Sequence, residues 1–132
     1  MKRSTLPLGI LTFLFFCFNI FVKGQIVHPR DTTICAGKNA TFNSTNSPAF
    51  ILVKWQRNSG NGNFVDIVAN LDPGTVYGGF STTTLILTGS VTAINGYEYR
   101  AVFSTGLAFD TSDAATLTVN PLPNPVITGA DV

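Results

Sequence analysis

The chain has 132 residues and a formal net charge of +1, which leaves room for one ordinary domain. Its basic residues are scattered, whereas a nucleic-acid surface needs clustered lysine and arginine. We therefore expect no nucleic-acid partner and no polybasic membrane patch.

The N-terminus carries the pattern of an export signal. Two basic residues near the start precede an almost wholly apolar stretch from Leu6 to Val22, and a small glycine follows two residues later. This pattern predicts a signal peptide over residues 1–24, cleaved before Gln25. The expected location is secreted or cell-surface, with the membrane involved only through this signal. An uncleaved membrane anchor and a lipoprotein that uses Cys17 stay open as alternatives.

Cys35 is the only cysteine that would remain after cleavage. An oxidising compartment favours disulfides, but a single cysteine cannot form one within its own domain. We therefore expect a free thiol at Cys35 and a fold that depends on hydrophobic burial. An intermolecular disulfide is the alternative.

After Gln25 the sequence alternates apolar and polar residues in short runs, which glycine, asparagine, proline and serine interrupt. Such alternation predicts strands, and helical periodicity is missing. About seven to eight short strands are expected. The clearest runs, in chain order, are residues 32–34, 39–44, 51–56, 64–68, 83–88, 97–104 and 114–119.

These runs predict an all-β domain over residues 25–120, built as a sandwich of two antiparallel sheets. A closed barrel fits the same pattern and stays open as an alternative. Residues on the inward phase of the runs form the predicted structural core: Phe42, Trp55, Leu85, Leu87, Tyr97, Tyr99 and Leu117.

The last twelve residues, 121–132, have a different composition. Prolines at 121, 123 and 125 predict an extended, semi-rigid linker. The following residues, 126–129, look like the first strand of a neighbouring module in the same chain. A loose C-terminal tail is the alternative.

Several short motifs lie in order along the chain: Cys35-Ala36-Gly37 before Ala40-Thr41-Phe42, Trp55-Gln56, Tyr77-Gly78-Gly79, Thr84-Leu85-Ile86-Leu87, Asn95-Gly96-Tyr97-Glu98-Tyr99-Arg100 and Ala115-Thr116-Leu117-Thr118-Val119-Asn120-Pro121. Together they resemble the immunoglobulin-like repeat domains of large secreted and cell-surface proteins of Bacteroidota-type bacteria. The resemblance implies an immunoglobulin-like sandwich, display at the cell surface, and a tyrosine corner at Tyr99 or Tyr97.

The resemblance has one clear departure. It implies that the inter-sheet disulfide positions of an immunoglobulin domain fall on Ser44 and Ala101, and neither is cysteine. Members of the family often carry cysteine at the position of Ala101, with Cys35 as its plausible partner. That partner is missing here, which again favours a free thiol.

The residues give little reason to expect catalysis. His28 is the only histidine, so it is the only available imidazole base. Asp66, Asp72 and Glu98 stand far apart in the sequence, and the glycine pairs lack the helix and lysine of a phosphate loop. We expect no enzyme activity and no cofactor.

Asp110 and Asp113 are weak candidates for a calcium site, because Asp110-Thr111-Ser112-Asp113 is the densest acidic cluster. A polar hairpin turn between the last two strands is the stronger interpretation. The sequence therefore favours a turn over a metal site at these residues.

Aromatic residues near turns are the better lead to a binding surface. Phe64, Tyr77, Phe80 and Phe109 form the predicted contact patch, although each of them could instead close the edge of the core. Asn39 and Asn43 also begin N-glycosylation sequons, whose occupancy depends on the source of the protein.

These observations favour a non-catalytic module that acts in adhesion or as a structural spacer, as part of a multi-module protein. The expected partner is an unidentified protein or glycan surface. One alternative is a carbohydrate- or protein-binding accessory domain of a secreted hydrolase. Another is the ectodomain of an immunoglobulin-type receptor.

Overall fold

The computed structural model describes residues 25–47, 50, 52–126 and 129. The predicted signal peptide, Cys17 and two of the four residues of the predicted next-module strand, 127 and 128, lie outside the described residues, and the predicted cleavage site lies at their boundary. Within them the strands are β1 Gln25–Val27, β2 Thr32–Cys35, β3 Ala40–Asn43, β4 Thr45–Ser47, β5 Leu52–Asn58, β6 Phe64–Asp66, β7 Val76–Gly78, β8 Thr84–Thr88, β9 Glu98–Ser104, β10 Phe109–Thr111 and β11 Ala115–Asn120. A 3₁₀ turn, Thr92–Ile94, precedes β9.

The strands form two main sheets and one short ladder. The larger sheet has the order β2-β11-β9-β5-β6, and β10 also pairs with β9. The smaller sheet has the order β3-β8-β7, and β1 pairs with β4. Buried side chains from both main sheets belong to one core, and the rings of Phe42 and Tyr99 stack across it at 4.9 Å. The expectation of an all-β fold is confirmed, and the packing is that of a β-sandwich.

One strand pair corrects the expectation of purely antiparallel sheets. β2 pairs with β11 in parallel, from Thr32 beside Leu117 to Cys35 beside Asn120. The physical reason is the short link between β1 and β2. Four residues carry the chain from the β1–β4 ladder to the larger sheet. Because no hairpin reverses the chain there, β2 reaches the edge of the larger sheet running in the direction of β11.

The sequence pattern missed four strands, β1, β4, β7 and β10. Each has three residues, which is too short to show a period of two. β10 also corrects the hairpin turn predicted over Asp110–Asp113, because Asp110 and Thr111 pair with β9. The true turn lies earlier, between Ser104 and Phe109.

Alternation along the longer strands positions the core. Trp55, Tyr99, Leu85, Leu87 and Leu117 are fully buried, and Phe42 is 1% exposed. Trp55 also donates its indole N–H to the carbonyl oxygen of Thr82 at 2.8 Å, so the ring is fixed between the sheets and its polar atom is satisfied.

Tyr97 differs from the prediction, since it is only half-buried and packs against the edge of the core. It lies one residue before β9 begins, where the strand is not yet paired with β5. The guanidinium of Arg57 lies over its ring at 5.1 Å.

The chain leaves the sandwich at the end of β11. Residues 121–126 are exposed and have no regular secondary structure, which fits the restricted backbone of three prolines in this stretch. Among the described residues, no helix is long and apolar enough to cross a membrane.

Candidate functional site

A buried ion pair links β5 to the loop before β7. Arg57 takes the inward phase of its strand two residues after Trp55, and it donates two hydrogen bonds to Asp72. Nε lies 2.9 Å from Oδ2, and Nη2 lies 2.7 Å from Oδ1. Their side chains are 14% and 8% exposed, so the bidentate geometry compensates two largely desolvated charges.

Two tyrosine hydroxyls extend this ion pair into the core. The Tyr77 hydroxyl donates to Asp72 Oδ2 at 2.6 Å, and it lies 3.2 Å from the Tyr99 hydroxyl. Burial raises the pKa of both tyrosines well above the ordinary value near 10, and the Asp72 carboxylate acts in the same direction. Both phenols therefore stay neutral, and their hydroxyls and the Asp72 carboxylate are paired with one another inside the core.

Tyr77 was predicted to belong to the contact patch, and the structure corrects this. It is 1% exposed, because its hydroxyl reaches Asp72 inside the sandwich and its ring packs on Tyr99 at 6.2 Å. The sequence contained only part of the signal for this arrangement. An arginine on the inward phase of a strand needs a buried acid, but the pattern does not identify which acid or which hydroxyl it meets.

The other members of the predicted patch do not form one surface. Phe80 is half-buried against the core, and Phe64 is half-buried beneath the guanidinium of Arg100, 3.8 Å from its ring centre. Phe109 lies beside Ser104, four residues along β9 from Arg100, or about 13 Å. Of the described aromatic residues only Phe109 is exposed.

The hairpin between β9 and β10 presents Phe109 together with a residue that sequence reasoning missed. Leu107 is 100% exposed and Phe109 is 74% exposed. We call these two side chains the hairpin tip. A leucine directly after a turn glycine was the available signal, because polar residues dominate turns.

Hydrogen bonds fix the backbone of this turn. The Thr105 amide donates to Ala108 O at 3.1 Å, and the Ala108 amide donates back to Thr105 Oγ1 at 3.1 Å. The Gly106 amide donates to Ser104 Oγ at 3.0 Å, with φ at +89°. The tip is thus an apolar pair on a defined hairpin, and its backbone is already satisfied.

The weak metal candidates point to different partners. Asp110 accepts hydrogen bonds from Asn46 Nδ2 at 3.1 Å and from the Thr111 amide at 3.0 Å, whereas Asp113 Oδ2 lies 3.5 Å from His28 Nδ1. In the described part of the chain, no three histidine, cysteine or acidic side chains gather as a metal site would require. The Asp110 carboxylate is therefore held in hydrogen bonds within the fold, whereas the Asp113 carboxylate is 86% exposed.

His28 and its neighbours line a small cleft beside β3. The cleft has a volume of about 240 Å³, and its walls are Val27, His28, Arg30, Thr32, Thr41 and Asn43. The Asp113 amide donates to His28 Nδ1 at 2.8 Å, so this nitrogen is an acceptor and the imidazole proton belongs on Nε2. No serine, threonine or cysteine side chain in the described residues forms a hydrogen bond with this imidazole.

Cys35 lies at the exposed end of β2 and forms no disulfide with any described residue. The two sequon asparagines are also exposed. Asn39 Oδ1 accepts from the Gly89 amide at 3.3 Å, and Asn43 Oδ1 accepts from Thr84 Oγ1 at 2.8 Å. Of the disulfide positions that the resemblance implied, Ser44 and Ala101 are both fully buried.

No protein-family model matches this sequence, and a search of curated proteins finds no match.

Proposed function

We propose that this chain is an immunoglobulin-like, non-catalytic module of an exported or cell-surface protein, and that it adheres to a protein partner through the hairpin tip. The strand order supports the fold. The order β3-β8-β7, with the β1–β4 ladder continuing from β3, and the order β11-β9-β5 in the other sheet correspond to the ABED and GFC orders of an immunoglobulin sandwich, while β2 and β6 extend the second sheet.

The observation that carries the function is the exposure of Leu107 and Phe109, 100% and 74%, on one hydrogen-bonded hairpin. Burying a leucine or phenylalanine side chain in a partner is worth roughly 1.5–3 kcal/mol each. Because the turn is already ordered, little conformational entropy is lost when a partner covers it.

The carbohydrate-binding alternative has less support. Sugar recognition by a sandwich face needs an exposed aromatic platform, but Trp55 is fully buried and Phe64 lies under Arg100. The spacer role is compatible with adhesion, since the exposed proline-rich stretch over residues 121–125 suits a joint between modules.

Bead adhesion tests the proposal. Beads that carry the secreted protein through a C-terminal tag are washed over surfaces coated with extracellular proteins or with polysaccharides. We expect retention on a protein coating. The double substitution Leu107→Ser and Phe109→Ser should lower retention at least about tenfold, the factor that corresponds to 1.4 kcal/mol.

The matched control removes two apolar side chains elsewhere. Val65 and Val68 are 42% and 54% exposed near β6, and their replacement by serine should leave retention unchanged. Retention on polysaccharide alone would favour the accessory-domain alternative. Retention on no surface at all would favour the spacer role and contradict adhesion.

A further inference from the structure

The edge of β3 is uncovered next to the cleft. Among the described strands β3 pairs only with β8. The Ser44 amide donates to Thr83 O at 2.9 Å, and Phe42 is the partner of Leu85 in the same register. Because bonded pairs alternate in an antiparallel ladder, the amide and carbonyl groups of Thr41 and Asn43 point away from β8. They face the cleft, which both residues line.

β1 ends before it covers the edge of β3, and the pairing register explains why. β1 pairs with β4 as far as Val27 beside Thr45, and the same register would next place Pro29 beside Asn43. Proline has no amide hydrogen to donate. The chain instead bends toward the larger sheet, and Pro29 is buried there. A short length of strand edge is thereby left open, where the line of β1 would have continued.

The cleft also offers unpaired positive charge. The Arg30 side chain is exposed and forms no ion pair with any described carboxylate. The Nε2–H of His28 is a second donor, while Asp113 beside His28 partly offsets the charge. The volume of about 240 Å³ is below the usual range of small-molecule pockets. A peptide that lies along the strand edge does not need to be enclosed by the cleft.

We propose that this cleft binds an extended acidic peptide, which adds as a short strand to the β3 edge at Thr41 and Asn43 while a carboxylate of the peptide pairs with Arg30. Backbone hydrogen bonds to an open edge give affinity in such additions, and side-chain contacts give specificity. The site is independent of the hairpin tip, so it goes beyond the adhesion proposed above.

An NMR titration tests this proposal on the ¹⁵N-labelled secreted protein. The probe is an acetylated and amidated pentapeptide, Thr-Val-Asp-Val-Thr. We expect saturable shifts of the Thr41 and Asn43 amides. Substitution of the peptide aspartate by lysine should abolish them. Arg30→Gln should weaken binding about tenfold, while Lys38→Gln, at the other end of β3, should not.

N-methylated peptides separate strand addition from simple anion binding. Alternate amides of an added strand face its neighbour, so methylation of the two valine amides and methylation of the aspartate and threonine amides must differ. Methylation of the amides that face β3 should abolish binding, and methylation of the amides that face away should leave it unchanged. The Leu107→Ser/Phe109→Ser variant should bind the peptide normally.

Three results would overturn the proposal. The first is equal binding of both methylated sets with competition by acetate or inorganic phosphate, which would mean an anion site only. The second is concentration-dependent dimerisation in sedimentation velocity that involves Thr41 and Asn43, which would mean that a second copy covers the edge. The third is the absence of amide shifts at saturating peptide.

Discussion

Tyr77 and Phe109 represent two regions that the sequence placed on one surface and the structure separates. Tyr77 is 1% exposed and Phe109 is 74% exposed. The Tyr77 hydroxyl is paired inside the sandwich, whereas the Phe109 ring contacts little of its own protein. The comparison teaches that a position near a turn does not decide the exposure of an aromatic residue: Tyr77 has a buried polar partner within reach, and Phe109 has none.

The two regions should accordingly control different properties. Around Asp72 the polar atoms of Arg57, Tyr77 and Tyr99 satisfy one another. At the hairpin, only the backbone is satisfied and the apolar side chains stay in water. Substitutions in the network should change the free energy of unfolding, and substitutions at the tip should change binding.

The largest effect is expected from Asp72→Ala. The change leaves Arg57, whose side chain is 14% exposed, without its counter-charge, and breaking a buried pair costs about 3–5 kcal/mol. Urea unfolding followed by tryptophan fluorescence measures this loss. The matched change Asp66→Ala breaks the exposed pair with Lys54, 40% and 55% exposed, and should cost at most about 1 kcal/mol. Equal losses in the two variants would contradict the importance assigned to burial.

Two glycine-to-alanine substitutions, one near Tyr77 and one in the hairpin, compare the backbones of the two regions through their effect on stability. Gly79 has φ at +68°, and an added Cβ would lie 2.1 Å from the Thr84 carbonyl oxygen. Gly79→Ala should therefore cost about 3 kcal/mol or more, since strain and a backbone clash combine. Gly106 has φ at +89° and open space around it, so Gly106→Ala should lower the free energy of unfolding by only about 1 kcal/mol. Thermal unfolding by circular dichroism ranks the two, and a reversed order would be inconsistent with the packing described here.

The next largest effect is expected from alkaline pH, which should lower the free energy of unfolding through Tyr77 and Tyr99. Burial raises the pKa of Tyr77 and Tyr99 above the value of 10 that applies to the unfolded chain. Below pH 10 both states keep the phenolic protons, so these groups add no pH dependence. Above pH 10 the unfolded state releases them first, and stability falls by about 1.4 kcal/mol per pH unit for each tyrosine.

Urea midpoints between pH 9 and pH 11.5 test this expectation, with absorbance at 295 nm reporting ionisation. Tyr77→Phe should reduce the slope above pH 10, because one of the two protons is removed. An unchanged slope in this variant would mean that Tyr77 is not held neutral by the fold.

The smallest effect on stability is expected at the hairpin tip. The double substitution Leu107→Ser and Phe109→Ser removes side chains that contact solvent, and such surface changes stay within about 0.5 kcal/mol. Equilibrium urea unfolding measures it. A loss above 1 kcal/mol would show that the tip packs on the domain and is not free for a partner.

Local alternation was enough to locate the longer strands and the inward residues Trp55, Leu85 and Leu117, since a period of two reports burial directly. It could not reveal β1 or β10, because three residues contain too little pattern. It also could not join Arg57 to Asp72, which are 15 residues apart, since that contact depends on how the loop before β7 folds back.

The candidate sites were predicted only in part, for the same reason. Phe109 is exposed, as its position near the final strands suggested, and its role as a contact residue stays a prediction. Leu107 was passed over, and Tyr77 is buried. The open edge of β3 depends on Pro29 ending one ladder and on β2 joining the other sheet. Neither event is visible without the pairing register.

The separation of recognition from stability is tested most directly by the retention of the Leu107→Ser/Phe109→Ser variant on a protein-coated surface, at equal amounts of folded protein. The predicted result is at least about a tenfold drop in retention with an unchanged unfolding midpoint. Unchanged retention, or retention that falls only together with stability, would contradict the role assigned to the hairpin tip.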